Sequence, residues 1–255
     1  MKKLTYLSFA IALCTGAHAF TVLTEGHTDV GFGYISPKTF EPHIHVHDTD
    51  EEFEPSQALF FLGANTRDTR PVGNEYNFLG VSAGETYWRL PESEASGALF
   101  LGLGLEEIAS NEPDFAPYFE TDSRVNTATA QRWVSISVLA KRGPGEVSGF
   151  NFGDSEPVVW YSSVDGLGLS DKIIAPAGGH KHLNWAFSAL GLYELDLQAS
   201  TYFDENGNGE LDASDTLFRS DVATYSFGVE AVPEPATMTA MAVGLVALVR
   251  KRRSK

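Results

Sequence analysis

His43-Ile44-His45-Val46-His47-Asp48 is the stretch on which the reading of the fold turns. Polar and β-branched residues alternate strictly, which is the period of a β-strand, since successive side chains leave a strand on opposite faces. As a strand it sends His43, His45 and His47 to one face and Ile44 and Val46 to the core. Imidazoles two residues apart then sit about 6.6 Å apart at Cα, close enough to converge on one ion, whereas the outer pair is roughly 13 Å apart and is not.

Short runs of the same kind recur through the chain, bounded by Gly, Pro, Asn and Asp. They predict strands at Thr21–Thr24, Val30–Ile35, Ala58–Leu62, Thr86–Arg89, Leu99–Gly102, Trp133–Ala140, Gly149–Phe152, Val158–Ser162, Leu192–Tyr202 and Thr224–Val229. Long amphipathic helical patterns are scarce, and Glu107–Arg132 reads as a long loop or a short helix. The expected fold is all-β: a single antiparallel β-sandwich, Ig-like or jelly-roll-like, with few short helices.

Both ends of the chain read as targeting segments. Residues 1–19 have a charged start (Lys2, Lys3), an apolar stretch from Leu4 to Leu13 and a small-x-small cleavage site, Ala17-His18-Ala19, which predicts a signal peptide removed by signal peptidase. Cys14 does not mark a lipoprotein, because Leu13 stands where lipid attachment needs a small residue. Its removal leaves no cysteine, so disulfides and thiolate metal sites are excluded from the mature region. At the other end, Val232-Pro233-Glu234-Pro235 precedes an apolar run, Ala236 to Val249, and a basic tail, Arg250 to Lys255. The run is short for a transmembrane helix, which usually needs about 20 residues, and the tail suits the cytoplasmic side. This three-part end resembles the PEP-CTERM sorting signal of Gram-negative bacteria. The resemblance implies cleavage by an exosortase and delivery to the cell envelope or extracellular matrix, with the membrane contacted through the C-terminal helix before processing. The chain thus divides into a signal peptide (1–19), a metal-binding β-sandwich (20–231) and a sorting signal (232–255).

Removing both ends takes Lys plus Arg from 18 to 11 and Asp plus Glu from 34 to 33, which leaves residues 20–232 at −22. So acidic a region lacks the basic footprint of a nucleic-acid binder and attracts cations. Six of the seven histidines lie in three places: His27, the His43–His47 run, and His180 with His182. Asp29 is two residues from His27 and is available as a ligand or as a partner that orients an imidazole. Neutral imidazole is the commonest protein ligand for transition metals, so zinc is the expected cofactor.

A wider resemblance rests on these same residues. Leu23-Thr24-Glu25-Gly26-His27-Thr28-Asp29-Val30 and His45-Val46-His47-Asp48 are similar to the opening of the bacterial choice-of-anchor M surface proteins. Thr86-Tyr87-Trp88-Arg89-Leu90-Pro91, the block Gly97–Gly102 and Gly143-Pro144-Gly145 resemble further motifs of that family. Gly179-His180-Lys181-His182-Leu183-Asn184-Trp185-Ala186-Phe187 is similar to a signature of surface-anchored repeats. Together with the sorting tail, these stretches resemble PEP-CTERM proteins repressed by the zinc-uptake regulator Zur. The resemblance implies a role in zinc scarcity, with an envelope zinc-uptake system as partner, and places His27, His45, His47, His180 and His182 on the family's histidines. His43 is outside that pattern.

A second cation loop is expected at Asp204–Asp215. Asp204, Asn206, Asn208, Glu210 and Asp215 stand at positions 1, 3, 5, 7 and 12 of a calcium-loop pattern, Asp212 offers its oxygens at position 9, and Gly209 stands at position 6. Asp replaces the usual Glu at position 12, and strands rather than helices flank the loop. No nucleophile elbow, HExxH or phosphate loop occurs, so the expectation is a zinc-binding protein that captures or buffers the ion and is not an enzyme. The alternatives are a structural or adhesive matrix module and a zinc hydrolase.

Overall fold

The computed structural model describes residues 20–125 and 128–232. The signal peptide and the C-terminal apolar helix expected from the sequence lie outside the described residues. Among the described residues no helix is long and apolar enough to cross a membrane.

The chain is almost entirely strand. The elements are β1 (Thr21–Leu23), β2 (Gly26–Ile35), β3 (Thr39–Val46), β4 (Glu51–Phe53), β5 (Ala58–Leu62), β6 (Arg67–Thr69), β7 (Thr86–Leu90), β8 (Leu99–Gly104) and β9 (Trp133–Arg142). They continue as β10 (Val147–Asn151), β11 (Val158–Ser162), β12 (Lys172–Pro176), β13 (His180–His182), β14 (Asn184–Phe187), β15 (Gly191–Phe203), β16 (Thr216–Arg219) and β17 (Ala223–Val229). Two short 3₁₀ turns, Ala64–Thr66 and Asn74–Leu79, are the only helical segments among the described residues. The described residues of the stretch expected to be irregular, Glu107–Arg132, form turns and isolated bridges.

The strands form three sheets. A seven-stranded sheet runs β1-β5-β17-β15-β9-β12, with β16 paired to β15. A five-stranded sheet runs β11-β10-β14-β7-β6, and a third runs β13-β8-β2-β3-β4. The all-β sandwich expected from the sequence is therefore present, with one difference. It is not purely antiparallel: β1 with β5, β5 with β17 and β2 with β8 are parallel pairs. Alternation along a strand reports which face is buried, whereas pairing direction depends on how the connections run.

One apolar core joins the sheets. Phe60, Leu195, Leu197, Tyr225 and Phe227 of the large sheet meet Val30, Phe32, Ile44 and Leu101 of the third and Leu90, Trp185 and Phe187 of the second. Trp185 packs against Phe227 with ring centroids 5.8 Å apart, and Phe187 lies 5.1 Å from the same ring. Buried Tyr225 crosses the sandwich, its hydroxyl lying 3.1 Å from the Gly31 carbonyl and 3.2 Å from that of His43. A buried hydroxyl is costly unless hydrogen-bonded, so this contact fixes β2 and β3 against the large sheet. The opposite, outward face of those strands carries the histidines.

Candidate metal centre

Register places the histidines in rows across the outer face of the third sheet. Asp29 pairs with His45 on β3 and with Gly102 on β8. Gly31 pairs with His43 and with Gly104. On β13, His182 stands opposite Gly102 and His180 opposite Gly104. His47 lies just past the end of β3, yet its amide donates to the His27 carbonyl at 3.0 Å and extends the pairing by one row. The burial behind the face follows the expected parity, with Ile44 and Val30 fully buried.

Two glycines make convergence possible. A Cβ on Gly102 would lie 2.3 Å from Asp29 Oδ1 and 2.5 Å from His180 Nε2. One on Gly104 would lie 2.9 Å from Asp29 Oδ2. Because both positions lack a side chain, Asp29 on β2 and His180 on β13 meet across the top of β8.

At the centre, His27, Asp29, His47 and His180 each offer one ligand atom, all within 4.8 Å of one another. Asp29 is 1% exposed, and its two oxygens are shared out. His180 Nε2 lies 2.8 Å from Oδ1, and His47 Nε2 lies 2.8 Å from Oδ2. His27 Nε2 is 3.6 Å from Oδ1 and 3.4 Å from His180 Nε2. Ligands of a tetrahedral zinc ion, with bonds of about 2.0–2.1 Å, stand roughly 3.3 Å from one another. The separations of 2.8–3.6 Å lie around that value, so the four residues could hold one metal ion. Rings protonated at Nε2 donate to Asp29, and the same rings without that proton turn three lone pairs and a carboxylate toward one point.

The electrostatics show opposing causes. Burial alone would raise the Asp29 carboxyl, but hydrogen bonds from His180 and His47 hold it below its ordinary value. Burial pulls His180 down, yet the bond to Asp29 and that carboxylate's charge win and leave it raised. His27 is lowered, by burial first, with the neighbouring imidazoles adding to it against Asp29. His182 is pushed down to about 4 by burial and then by His180.

The sequence-predicted ligands therefore separate. His27, Asp29, His47 and His180 form the inner group. His182 lies flat on Phe100, ring centroids 3.5 Å apart, with 4.3 Å to His180 and 4.9 Å to His27. Its Nδ1 is buried without a hydrogen-bond partner, so it borders the group as a neutral donor. His45 lies tilted beside His47, ring centroids 4.4 Å apart, but its Nε2 faces exposed Asp50 at 3.3 Å. Glu106 was not expected. Its carboxylate lies 3.5 Å from His180 Nδ1 and 3.9 Å from His47 Nε2. The signal for it is parity: Leu99, Leu101, Leu103 and Leu105 are all buried, which sends Gly102, Gly104 and Glu106 to the histidine face.

The acidic loop is built differently. Asp204 accepts from the amides of Asn208 and Gly209. The side-chain amides of Asn206 and Asn208 donate to Asp212, the Glu210 amide donates to Asn208, and Asp215 accepts from the amides of Glu205 and Asp212. The polar groups of Asp204, Asn206, Asn208, Asp212 and Asp215 are spent on one another at the surface, and Glu210 projects from the turn. Three larger surface grooves, of 450, 520 and 550 Å³, contain no histidine.

Comparison with known families finds one match: the PEP-CTERM protein-sorting motif, on residues 231–253. The chain carries a PEP-CTERM sorting signal. That motif marks an exosortase-processed protein destined for the cell envelope or extracellular space. Neither curated proteins nor solved structures give a match to the chain.

Proposed function

We propose that the mature protein is an envelope or extracellular zinc-binding protein of a Gram-negative bacterium that captures or buffers zinc when the ion is scarce. The observation that carries this reading is the meeting of four donors from three distant segments around buried Asp29. An ionised carboxylate out of water costs several kcal/mol unless it is matched by cations or strong hydrogen bonds, and three imidazoles with a divalent ion supply that match. Imidazole nitrogen with one carboxylate oxygen suits zinc, and no thiolate is available in the mature region.

Four protein donors favour binding over catalysis. Catalytic zinc sites typically use three protein ligands and keep a position for water, whereas a filled tetrahedron holds the ion. The role in scarcity rests on the resemblance to the Zur-repressed surface proteins, and a zinc-uptake system is the partner that reading implies. Zinc titration of the wild type against Asp29→Asn, His180→Ala and His45→Ala tests the assignment. The first two lower zinc affinity at least 100-fold and His45→Ala less than tenfold. Wild-type affinity in Asp29→Asn or His180→Ala would overturn it.

A further inference from the structure

One of the histidines outside the inner group has its own environment. His43 is nearly covered, its ring lying across β2 with Nε2 3.0 Å from Glu107 Oε1. Its other nitrogen, Nδ1, lies 3.0 Å from the Glu41 carbonyl, an oxygen that can only accept. A ring that spends its Nδ1 proton on that bond turns the Nε2 lone pair toward a carboxylate oxygen. Two electron-pair donors facing each other at 3.0 Å need something positive between them, either a proton or a metal ion.

The space for an ion is present. A cavity of 140 Å³ is bounded by His43, His45, Glu106, Glu107, Asp29 and the two glycines Gly31 and Gly104. Glycine is what keeps it open: a Cβ on Gly31 would fall 2.1 Å from His43 Nε2, and one on Gly33 2.8 Å from Glu107 Oε2. Two ligands at about 2.1 Å from an ion and near right angles stand about 3.0 Å apart.

We propose a second divalent-cation site on the same sheet face, held by His43 and Glu107 with Glu106 standing between it and the inner group. Glu106 lines this cavity while its oxygens also approach His180 and His47. The two sites share one wall, and Asp29 closes the cavity from the other side. This deepens the zinc-binding reading and rests on it for the identity of the ion: a face with two adjacent positions suits buffering, since it releases ions in two steps.

The test is zinc stoichiometry on the purified full chain, by titration and by metal analysis after gel filtration. The variants are His43→Gln with Glu107→Gln, and separately Asp29→Asn with His180→Ala, all checked for fold by circular dichroism. The wild type binds two equivalents; each double variant binds one, and they lose different affinities. A wild type with one ion that is lost in the Asp29/His180 variant but unchanged in the His43/Glu107 variant overturns the second site and leaves the inner one. That result would make His43 and Glu107 a plain ion pair. One ion lost only in the His43/Glu107 variant supports the second site and overturns the inner one. A chain that binds no zinc overturns both.

Discussion

Gly102→Ala is the smallest change that should dismantle the inner metal group without removing a ligand. The added methyl carbon would lie 2.3 Å from Asp29 Oδ1 and 2.5 Å from His180 Nε2. Ordinary carbon–polar contacts are about 3.4 Å or more, so the two ligand atoms must separate from β8 by about 1 Å. Metal sites tolerate errors of about 0.2 Å in ligand distance, and Asp29 is buried with both oxygens engaged. The displacement therefore exceeds the tolerance several-fold. Misplacing a ligand in this way should cost at least as much as losing an outer partner, 10–100-fold in affinity, or about 1.4–2.8 kcal/mol. The assay is competition of the purified chain against a chelator of known zinc affinity, with a melting curve of each protein without metal. The reasoning has a second edge, because glycine inside a strand normally costs roughly 0.5–1 kcal/mol relative to alanine. If Gly102→Ala melts higher than wild type and binds zinc equally well, no group converges over that glycine and the geometry is refuted.

His182, held down to about 4, refuses a proton that the unfolded chain accepts below about 6.5. The metal-free protein therefore loses stability as pH falls from 6.5 toward 4, and His182→Phe flattens that limb of a melting-temperature profile; an unchanged limb would show another group responsible. His180, raised by its bond to Asp29, acts in the opposite sense, its stabilisation complete below about 6.5 and fading as pH rises through its folded value, which His180→Gln removes. Trp185→Ala, at a site with no exposure, should cost about 3–5 kcal/mol and lower Tm by roughly 10 °C; a drop under 3 °C would mean the aromatic core is not shared between sheets. The Asp204–Asp215 loop, satisfied internally, should keep its fold without calcium, so millimolar calcium leaves Tm unchanged. A calcium-dependent rise abolished by Asp204→Asn would instead support the calcium-loop reading.

Long alternating stretches and apolar runs of at least four residues were legible in the sequence. Ala58–Leu62 and Val158–Ser162 form as expected, and Leu192–Tyr202 grows by one residue at each end. The short charged strands Glu51–Phe53 and Arg67–Thr69 were not, since they hold too few residues to show a period and exist because a neighbour pairs with them. Lys172–Pro176 was missed too, although Ile173, Ile174 and Ala175 are buried: three apolar residues fall short of the run of about four or more that reads as a buried strand. At the metal centre, alternation and clustering pointed to the histidines and Asp29, but could not separate His180 from His182. That difference arises because β13 sets His182 onto Phe100 and His180 over a glycine. Alternation along Leu99–Leu105 puts Glu106 on one face of its strand, but that this face joins the histidines depends on β8 lying beside β2 in parallel, a pairing no local pattern encodes.

The central claim is that zinc sits among His27, Asp29, His47 and His180. X-ray absorption at the zinc edge, on the full chain loaded with one equivalent, tests it most directly. Zinc held by these residues gives a four-coordinate shell of nitrogen and oxygen at about 2.0–2.1 Å, with the outer-shell scattering of three imidazoles, reduced to two in His180→Ala. A six-coordinate, water-rich shell with one imidazole or none, unchanged in that variant, would contradict it.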